Sequence, residues 1–175
     1  TESKTEDTKT LTTNGATLEL KDVYETPKGN LKFSKEKAAD SEDIPEASFT
    51  VKVTLSTSGD FEVVDSNATA TTTKSFTAGT PVEFTIAIGQ SFEIRDIPEG
   101  TTYTVEEVDP GENYTVKTVY SDDTDKKIMD GDNDTVTITN SYTSIKTDVT
   151  ISKKETGSGD EIAGATLTLT SEDGN

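Results

Sequence analysis

The chain has 175 residues, only 29% of them hydrophobic, and a formal net charge of -18. Its acidity and its single arginine, Arg95, disfavour nucleic acid and anionic lipid as partners, and no apolar run is long enough for membrane insertion. Cysteine and histidine are absent, which excludes disulfides, thiolate metal sites and the commonest metal ligand. We therefore expect a thin core and no metal or cofactor.

The composition favours strands over helices. Threonine occurs 34 times, and valine, isoleucine, phenylalanine and tyrosine supply much of the apolar content. These β-branched and aromatic residues pack well on pleated surfaces. The sequence therefore predicts an all-β protein.

Short alternating runs separated by turn residues follow in chain order from residue 29. In each run the residues of one parity are apolar and are predicted to point inward. They are Leu31 and Phe33; Phe49, Val51, Val53 and Leu55; Val82, Phe84, Ile86 and Ile88; Phe92 and Ile94; Tyr103 and Val105; and Val136 and Ile138. A further strand is predicted over 113–120. Turn signals such as 58–60 and 109–111 punctuate the runs, and the pattern predicts a β-sandwich over residues 30–142.

Two segments of this range are predicted to be exposed. The threonine-rich stretch 67–80 is expected to be a loop and an edge strand rather than a binding site. The acidic stretch 120–136 is expected to be an elongated hairpin connection. Its Asp130, Asp132 and Asp134 start a calcium-loop spacing, but the glycine at the sixth position and the glutamate at the twelfth are missing. We therefore predict a solvated loop there.

Three polar side chains continue the inward phase of their apolar strands: Lys35, Glu107 and Asn140. Any one of them alone is explained by a strand end, where the pleat reaches solvent. Together they supply an amine, a carboxylic acid and a carboxamide, which are the groups needed to form an amide bond between side chains. The set therefore indicates a site rather than three separate strand ends.

The expected chemistry follows from burial. In a dry site desolvation disfavours charge, so Lys35 and Glu107 can be neutral together and the amine becomes a nucleophile. A protonated Glu107 between the other two groups would donate a hydrogen bond to the Asn140 carbonyl oxygen and carry protons from the amine to the departing ammonia. The predicted product is an isopeptide bond between Lys35 and Asn140, with no cofactor.

Four segments resemble the CnaB-type (B-repeat) domains of Gram-positive surface adhesins, especially the related domains of major pilins. They are NLKFSK, FTVKVTL, GQSFEIRDIPEGTTYTVEEVD and a closing segment that starts with YTV and ends with DTVTITNSY, so the resemblance covers about residues 30–142. It implies an immunoglobulin-like β-sandwich whose first and last strands lie side by side. It also implies an isopeptide bond from a first-strand lysine to a last-strand asparagine, assisted by a glutamate. By motif position these are Lys35, Asn140 and Glu107.

Three neighbouring side chains fit these roles less well, and a fourth is a candidate for a different role. Lys32 and Glu106 have the opposite parity, and Lys37 lies one step beyond the apolar run. Lys28, in VYETPKGN, only loosely resembles the pilin lysine that a sortase joins to the next subunit. We interpret Lys28 as a linker lysine.

The flanks are predicted to be pieces of neighbouring domains. Residues 1–29 hold a strand and a linker that resemble the end of a preceding domain, and residues 143–175 hold a linker and the first strands of a following CnaB-type domain. Asp22 and Lys153 continue the phase of short apolar runs in these flanks. A second crosslink through Lys153 or Asp22 is one alternative, and a solvated lysine is the other, since no matching glutamate is evident.

The resemblance implies a structural module of an extracellular stalk, pilin or adhesin attached to the cell wall of a Gram-positive bacterium. Its only chemistry would be a single autocatalytic crosslinking event, not enzymatic turnover. The expected partners are neighbouring domains of the same protein, other pilin subunits or the host extracellular matrix. The alternative is a ligand-binding adhesin domain that recognises a host matrix protein or glycan through its loops, although the sequence shows no concave aromatic patch or basic groove.

Overall fold

A computed structural model describes residues 25–121, 125–146, 148–164, 166 and 168. Within them the regular structure consists of nine strands, and no helix is present. The strands are β1 (Lys28–Lys37), β2 (Phe49–Leu55), β3 (Gly59–Asp65), β4 (Thr72–Phe76), β5 (Val82–Ile86), β6 (Ser91–Pro98), β7 (Tyr103–Glu107), β8 (Tyr114–Tyr120) and β9 (Asn133–Tyr142). No helix in the described part of the chain has the length and apolar character needed to cross a membrane.

The strands form two sheets that pack as a sandwich. The larger sheet has the order β4-β3-β6-β1-β9-β8, and the smaller one has the order β5-β2-β7. The prediction of an all-β, immunoglobulin-like sandwich is confirmed. Apolar residues of alternating parity from both sheets form one core between them.

The first and last strands of the sandwich lie side by side at the centre of the larger sheet. β1 and β9 are parallel, and their register runs without a break from the pair Asn30 and Asn133 to the pair Lys37 and Asn140. β6 pairs with β1 on its other side, and β8 pairs with β9. Two strands distant in sequence therefore become direct neighbours.

Most of the predicted inward residues are buried. Val82 and Phe92 are only partly buried, and the prediction for Ile88 is wrong because 36% of this residue is exposed. β5 ends at Ile86, and the chain then turns through Gly89, whose φ is 82°. The alternation of side chains stops with the strand, so Ile88 does not continue the inward row.

Several residues of the core were not predicted. β3 contributes Phe61 and Val63 to the core, although the sequence around its start indicated only a turn. In β6 both Ile94 and Ile97 are fully buried, which breaks strict alternation. The register against β1 shifts between Gly29 and Leu31, a bulge that returns the later residue to the inner face. Ile128, in the connection before β9, is also fully buried, and Phe76 of β4 is 3% exposed.

Both segments predicted to be exposed are mostly so, but Phe76 in the first and Ile128 and Asp134 in the second are buried. The threonine-rich stretch contains β4, an edge strand of the larger sheet, flanked by exposed residues. The acidic stretch connects the antiparallel pair β8 and β9, so the predicted hairpin connection is confirmed. Asp132 accepts a hydrogen bond from the Met129 backbone N–H at 2.8 Å and shapes the turn before β9.

The chain divides into two compact units at the boundary between Ser144 and Ile145. In the first unit, β1 already begins at Lys28, so this lysine belongs to the strand rather than to a linker. In the second unit, a bridge between Lys154 and Glu161 closes a small hairpin. The predicted domain boundaries at residues 29 and 142 stay predictions.

Candidate functional site

Lys35 is buried in the core. It lies near the end of β1, where Leu31, Phe33 and Lys35 occupy alternate positions and each is 0% exposed. Its Cα is paired with that of Ile138 on β9. Because the strand continues the inward row through this position, the amine enters an apolar layer rather than solvent.

Glu107 approaches Lys35 from the opposite sheet. It is the last residue of β7, where its Cα is paired with that of Val51 on β2. Its Oε2 lies 3.0 Å from Lys35 Nζ, and both side chains are 0% exposed. The contact therefore joins the two layers of the sandwich through an amine and a carboxyl group without access to water.

Asn140 contacts the other oxygen of the same carboxyl group. Its Nδ2 donates a hydrogen bond to Glu107 Oε1 at 2.8 Å, and the residue is 0% exposed. Among the described residues, Asn140 Oδ1 has no hydrogen-bond partner. The carboxyl group of Glu107 thus lies between the amine and the carboxamide, with one oxygen facing each nitrogen.

One hydrogen bond differs from the arrangement expected from the sequence. We expected Glu107 to donate to the Asn140 carbonyl oxygen, whereas here the Asn140 amide nitrogen donates to Glu107. An ionised carboxylate can only accept, so this amide orientation suits charged Glu107. Turning the Asn140 amide over would suit the protonated acid, which can donate to the carbonyl oxygen.

Aromatic rings cover the site. Lys35 Nζ lies 4.7 Å from the centre of the Phe49 ring, which packs edge-on against Tyr114 at 5.7 Å between centroids. Beside β7, the Tyr120 hydroxyl donates to the Val105 carbonyl oxygen at 2.8 Å and so ties β8 to β7. The Phe49 ring covers the amine, and because the Lys35 and Glu107 side chains are 0% exposed, the electrostatic interaction between them is stronger than in water.

Burial lowers the pKa of the Lys35 amine from its ordinary value of 10.5, because the charged form loses its hydration. The contact with Glu107 and the charge of that residue act in the opposite direction and offset part of the effect. The amine is therefore easier to deprotonate than a lysine in water.

The backbone at Asn140 is also fixed. The Ala38 N–H donates to the Asn140 carbonyl oxygen at 2.8 Å, and Glu42 N–H donates to Tyr142 O at 3.0 Å. Ser144 N–H donates to a Glu42 carboxylate oxygen at 3.1 Å. The segment after β1 therefore runs along the end of β9 and holds it in place beyond the site.

The remaining candidate residues do not join this cluster. Lys32 and Glu106 are exposed, as their parity implies, and Lys37 pairs with Asp43 at the surface. Lys153 is exposed. Asp22 lies outside the described residues, so a second crosslink through either residue stays a prediction.

Two contributors to the site were not recognised in the sequence as such. Phe49 was predicted only as a core residue, yet its ring lies against the lysine amine. Gln90 lies in the motif just before β6, and the sequence predicts no role for it, yet it is buried and its backbone contacts Lys35. A glutamine that follows a glycine directly before a strand was the available signal.

A family model described as "Domain of unknown function (DUF7601)" matches residues 29–142. The chain belongs to this family. The matched range contains the whole sandwich from the second residue of β1 to the last residue of β9, and with it all three residues of the buried cluster. No curated protein matches the chain.

Solved structures of pilus proteins are similar in fold. The major pilin from Streptococcus pyogenes is 20% identical, with a TM-score of 0.51, and the match covers 66% of this chain and 48% of that one. A second major pilin (T3.2) from the same species has 20% identity and a TM-score of 0.51, over 67% of this chain and 46% of that one. A pilus-presented adhesin has 20% identity and a TM-score of 0.50, over 67% and 28%. The match thus spans about half of each major pilin, and at this identity the likeness shows a shared fold.

Proposed function

We propose that the chain is a structural module of a bacterial surface stalk, pilin or adhesin, stabilised by an intramolecular isopeptide bond between Lys35 and Asn140. The observation that carries the proposal is the contact of both nitrogens with the two oxygens of Glu107, inside a core where all three side chains are 0% exposed. An ordinary core has no use for such a set, because burying charged or polar groups costs stability unless they are paired.

The reaction is an aminolysis of the Asn140 carboxamide. The neutral Lys35 amine attacks Asn140 Cγ, a new C–N bond forms, and the bond from Cγ to Nδ2 breaks. In the reactive state Glu107 is protonated on Oε1; it delivers that proton to the departing nitrogen, which leaves as ammonia, while the proton lost by the amine passes to Oε2. Glu107 ends in its starting state, so the reaction consumes no cofactor and produces one amide and one ammonia.

The location in the fold gives the bond a mechanical role. β1 and β9 are parallel neighbours, so tension that enters at the start of β1 and leaves at the end of β9 pulls them in shear. A bond between Lys35 and Asn140 would carry that tension directly across the two strands. The segment between the two bonded residues, which contains most of the sandwich, would then remain folded under load.

The bond would also contribute thermodynamic stability. It would close a loop of about 100 residues, which in the chain-entropy model removes unfolded-state entropy worth about 4.7 kcal/mol. Whole domains are stable by only about 5–15 kcal/mol. A covalent amide is not reduced as a disulfide is, which suits an extracellular location.

The proposed setting follows from this role. The module would lie on the outer, cell-wall-attached surface of a Gram-positive bacterium and would contact neighbouring domains of its own protein or other pilin subunits. It would form one bond per chain and would not turn over a substrate. In the alternative, an adhesin domain, the loops of the sandwich would bind host matrix proteins or glycans, and solid-phase binding to such proteins separates the two.

Intact-mass spectrometry of the purified full chain tests the bond. We expect a mass lower than the sequence mass by one ammonia, and the full mass in Lys35→Ala, Glu107→Ala and Asn140→Ala. Lys32→Ala, Glu106→Ala and Asn133→Ala are matched controls on the same three strands, and each should retain the deficit. The full sequence mass in the wild-type chain would remove the crosslink from the proposal.

A further inference from the structure

The backbone of Lys35 is held by the turn that precedes β6. Its N–H donates to the Gln90 carbonyl oxygen at 3.0 Å, and its own carbonyl oxygen accepts from the Gly89 N–H at 2.8 Å. The regular pairing of β1 with β6 ends one residue earlier, at Ser34 and Ser91. The N–H and the carbonyl group of Lys35 are thus both hydrogen-bonded to this turn. These bonds fix the position of the Lys35 backbone, and with it the position of Cα, from which the side chain extends.

The side chain of Gln90 builds the turn. Its Oε1 accepts a hydrogen bond from the Ala87 N–H at 2.8 Å, which closes the turn on itself. Its Nε2 donates to Asp65 Oδ1 at 2.7 Å, which ties the turn to the end of β3. Gln90 is 9% exposed and its two bonds are partly buried, so removing its side-chain amide leaves the Ala87 N–H without this acceptor, although Asp65 Oδ1 still accepts from the Asn67 N–H.

We propose that Gln90, anchored by Asp65, is a positioning residue for the crosslinking reaction: it sets the backbone of Lys35 so that the amine reaches Asn140. The inference rests on the proposed bond between Lys35 and Asn140 and names a residue outside the reacting cluster. Gln90 touches neither reacting atom, and it acts only through the turn that holds Lys35.

The size of the effect follows from the sensitivity of such reactions to geometry. A misplacement of about 1 Å in a preorganised site costs about 100-fold in rate. Loosening the turn would shift the backbone of Lys35, and its Nζ would then be displaced from Asn140 Cγ, the carbon atom that it must attack. We therefore expect the loss of the Gln90 hydrogen bonds to slow bond formation by about 10- to 100-fold, even in molecules that have folded.

The test is a time course of bond formation in newly made full-length chain. The chain is produced by cell-free synthesis, synthesis is stopped, and samples denatured at intervals are analysed by intact mass for the loss of ammonia. Protease resistance of parallel samples reports folding. Gln90→Met has nearly the same size but lacks both hydrogen bonds, and it should fold yet lose ammonia more slowly by the factor above.

Two further variants make the test specific. Ser66→Ala removes a neighbouring bond between the same elements, from Ser91 N–H to Ser66 Oγ at 2.9 Å, without touching the Lys35 backbone, and it should keep the wild-type rate. Gln90→Glu places a second carboxylate beside Asp65 and should be slow. Adding Asp65→Asn restores a donor for that carboxylate, so the double variant should recover most of the rate.

The outcomes separate this inference from the crosslink itself. If wild-type chain never loses ammonia, the proposed bond is absent. If wild-type chain loses ammonia and folded Gln90→Met does so at the same rate, the positioning role is overturned and Gln90 only supports the fold. If the double variant is as slow as Gln90→Glu alone, the anchoring of Gln90 by Asp65 is contradicted. If Ser66→Ala slows the loss of ammonia as much as Gln90→Met does, the effect comes from loosening the contact between the end of β3 and the start of β6 in general, and the specific role of Gln90 is overturned.

Discussion

Two lysines of β1 illustrate what the core does to an amine. Lys35 and Lys37 lie two residues apart and have the same parity, and their Nζ atoms lie 3.0 Å and 2.9 Å from a carboxylate oxygen. Yet the Lys35 and Glu107 side chains are 0% exposed, whereas those of Lys37 and Asp43 are 35% and 105% exposed. Proximity to an acid is therefore the same at both positions, and burial distinguishes them.

The difference has a physical basis. At Lys37 water solvates both charges, so the pair remains an ordinary surface ion pair. At Lys35 desolvation lowers the pKa of the amine, and a carboxamide contacts the same carboxyl group. An amine becomes a nucleophile where the protonated form is disfavoured and an electrophile is held beside it.

The largest expected effect comes from removing the buried amine. Lys35→Met should abolish the loss of ammonia and lower the free energy of unfolding by about 4.7 kcal/mol, because the unfolded chain regains the entropy of an open loop. Urea denaturation followed by circular dichroism measures the change, with Lys32→Met as the control on the outer face of the same strand. Unchanged stability in Lys35→Met would contradict a covalent contribution.

Removal of the Phe49 ring should expose the Lys35 amine to water, as the Lys37 amine already is. Phe49→Ala is expected to cost about 3 kcal/mol as a cavity and to admit water to the amine, which leaves the crosslink incomplete. Phe61→Ala is the matched control, since Phe61 is similarly buried (6% against 5%) but packs on Phe76. It should destabilise the chain comparably and still lose ammonia in full, as intact mass will show.

The stability of the uncrosslinked chain should depend on pH through Lys35. In Asn140→Ala the folded amine has a lowered pKa, so below that pKa folding carries the full cost of burying a charge. As pH rises above it towards 10.5, the folded state releases its proton before the unfolded state does, and stability increases. Urea midpoints across this range test the slope, which should disappear in Asn140→Ala combined with Lys35→Met.

The smallest effect is expected at the surface pair. Lys37→Met should keep the ammonia deficit and leave the urea midpoint within experimental error, because solvent screens the contact with Asp43. Any remaining difference in urea midpoint between the wild-type chain and Lys37→Met should become smaller as the salt concentration rises. A clear destabilisation by Lys37→Met would mean that distance to an acid, rather than burial, governs both sites.

Local patterns were sufficient for most of the sandwich. Alternation in β2 placed Phe49, Val51, Val53 and Leu55 on the inner face, and all four are buried. It failed where a structural feature depends on another part of the chain. The bulge that buries Ile97 arises from pairing of β6 with β1, and no pattern within β6 itself could show it.

For the candidate site too, one part could be predicted from the sequence and another part depended on the tertiary structure. Parity alone indicated that Lys35, Glu107 and Asn140 point inward, because side chains alternate strictly along a strand and this rule needs no knowledge of the partner strands. Only the tertiary structure decided that β1 and β9 are parallel neighbours, that β7 faces them, and that a single carboxyl group contacts both nitrogens. Those relations join residues from 33 positions apart, Glu107 and Asn140, to about 100 positions apart, Lys35 and Asn140, and such contacts are set by sheet pairing and layer packing rather than by neighbours in the sequence.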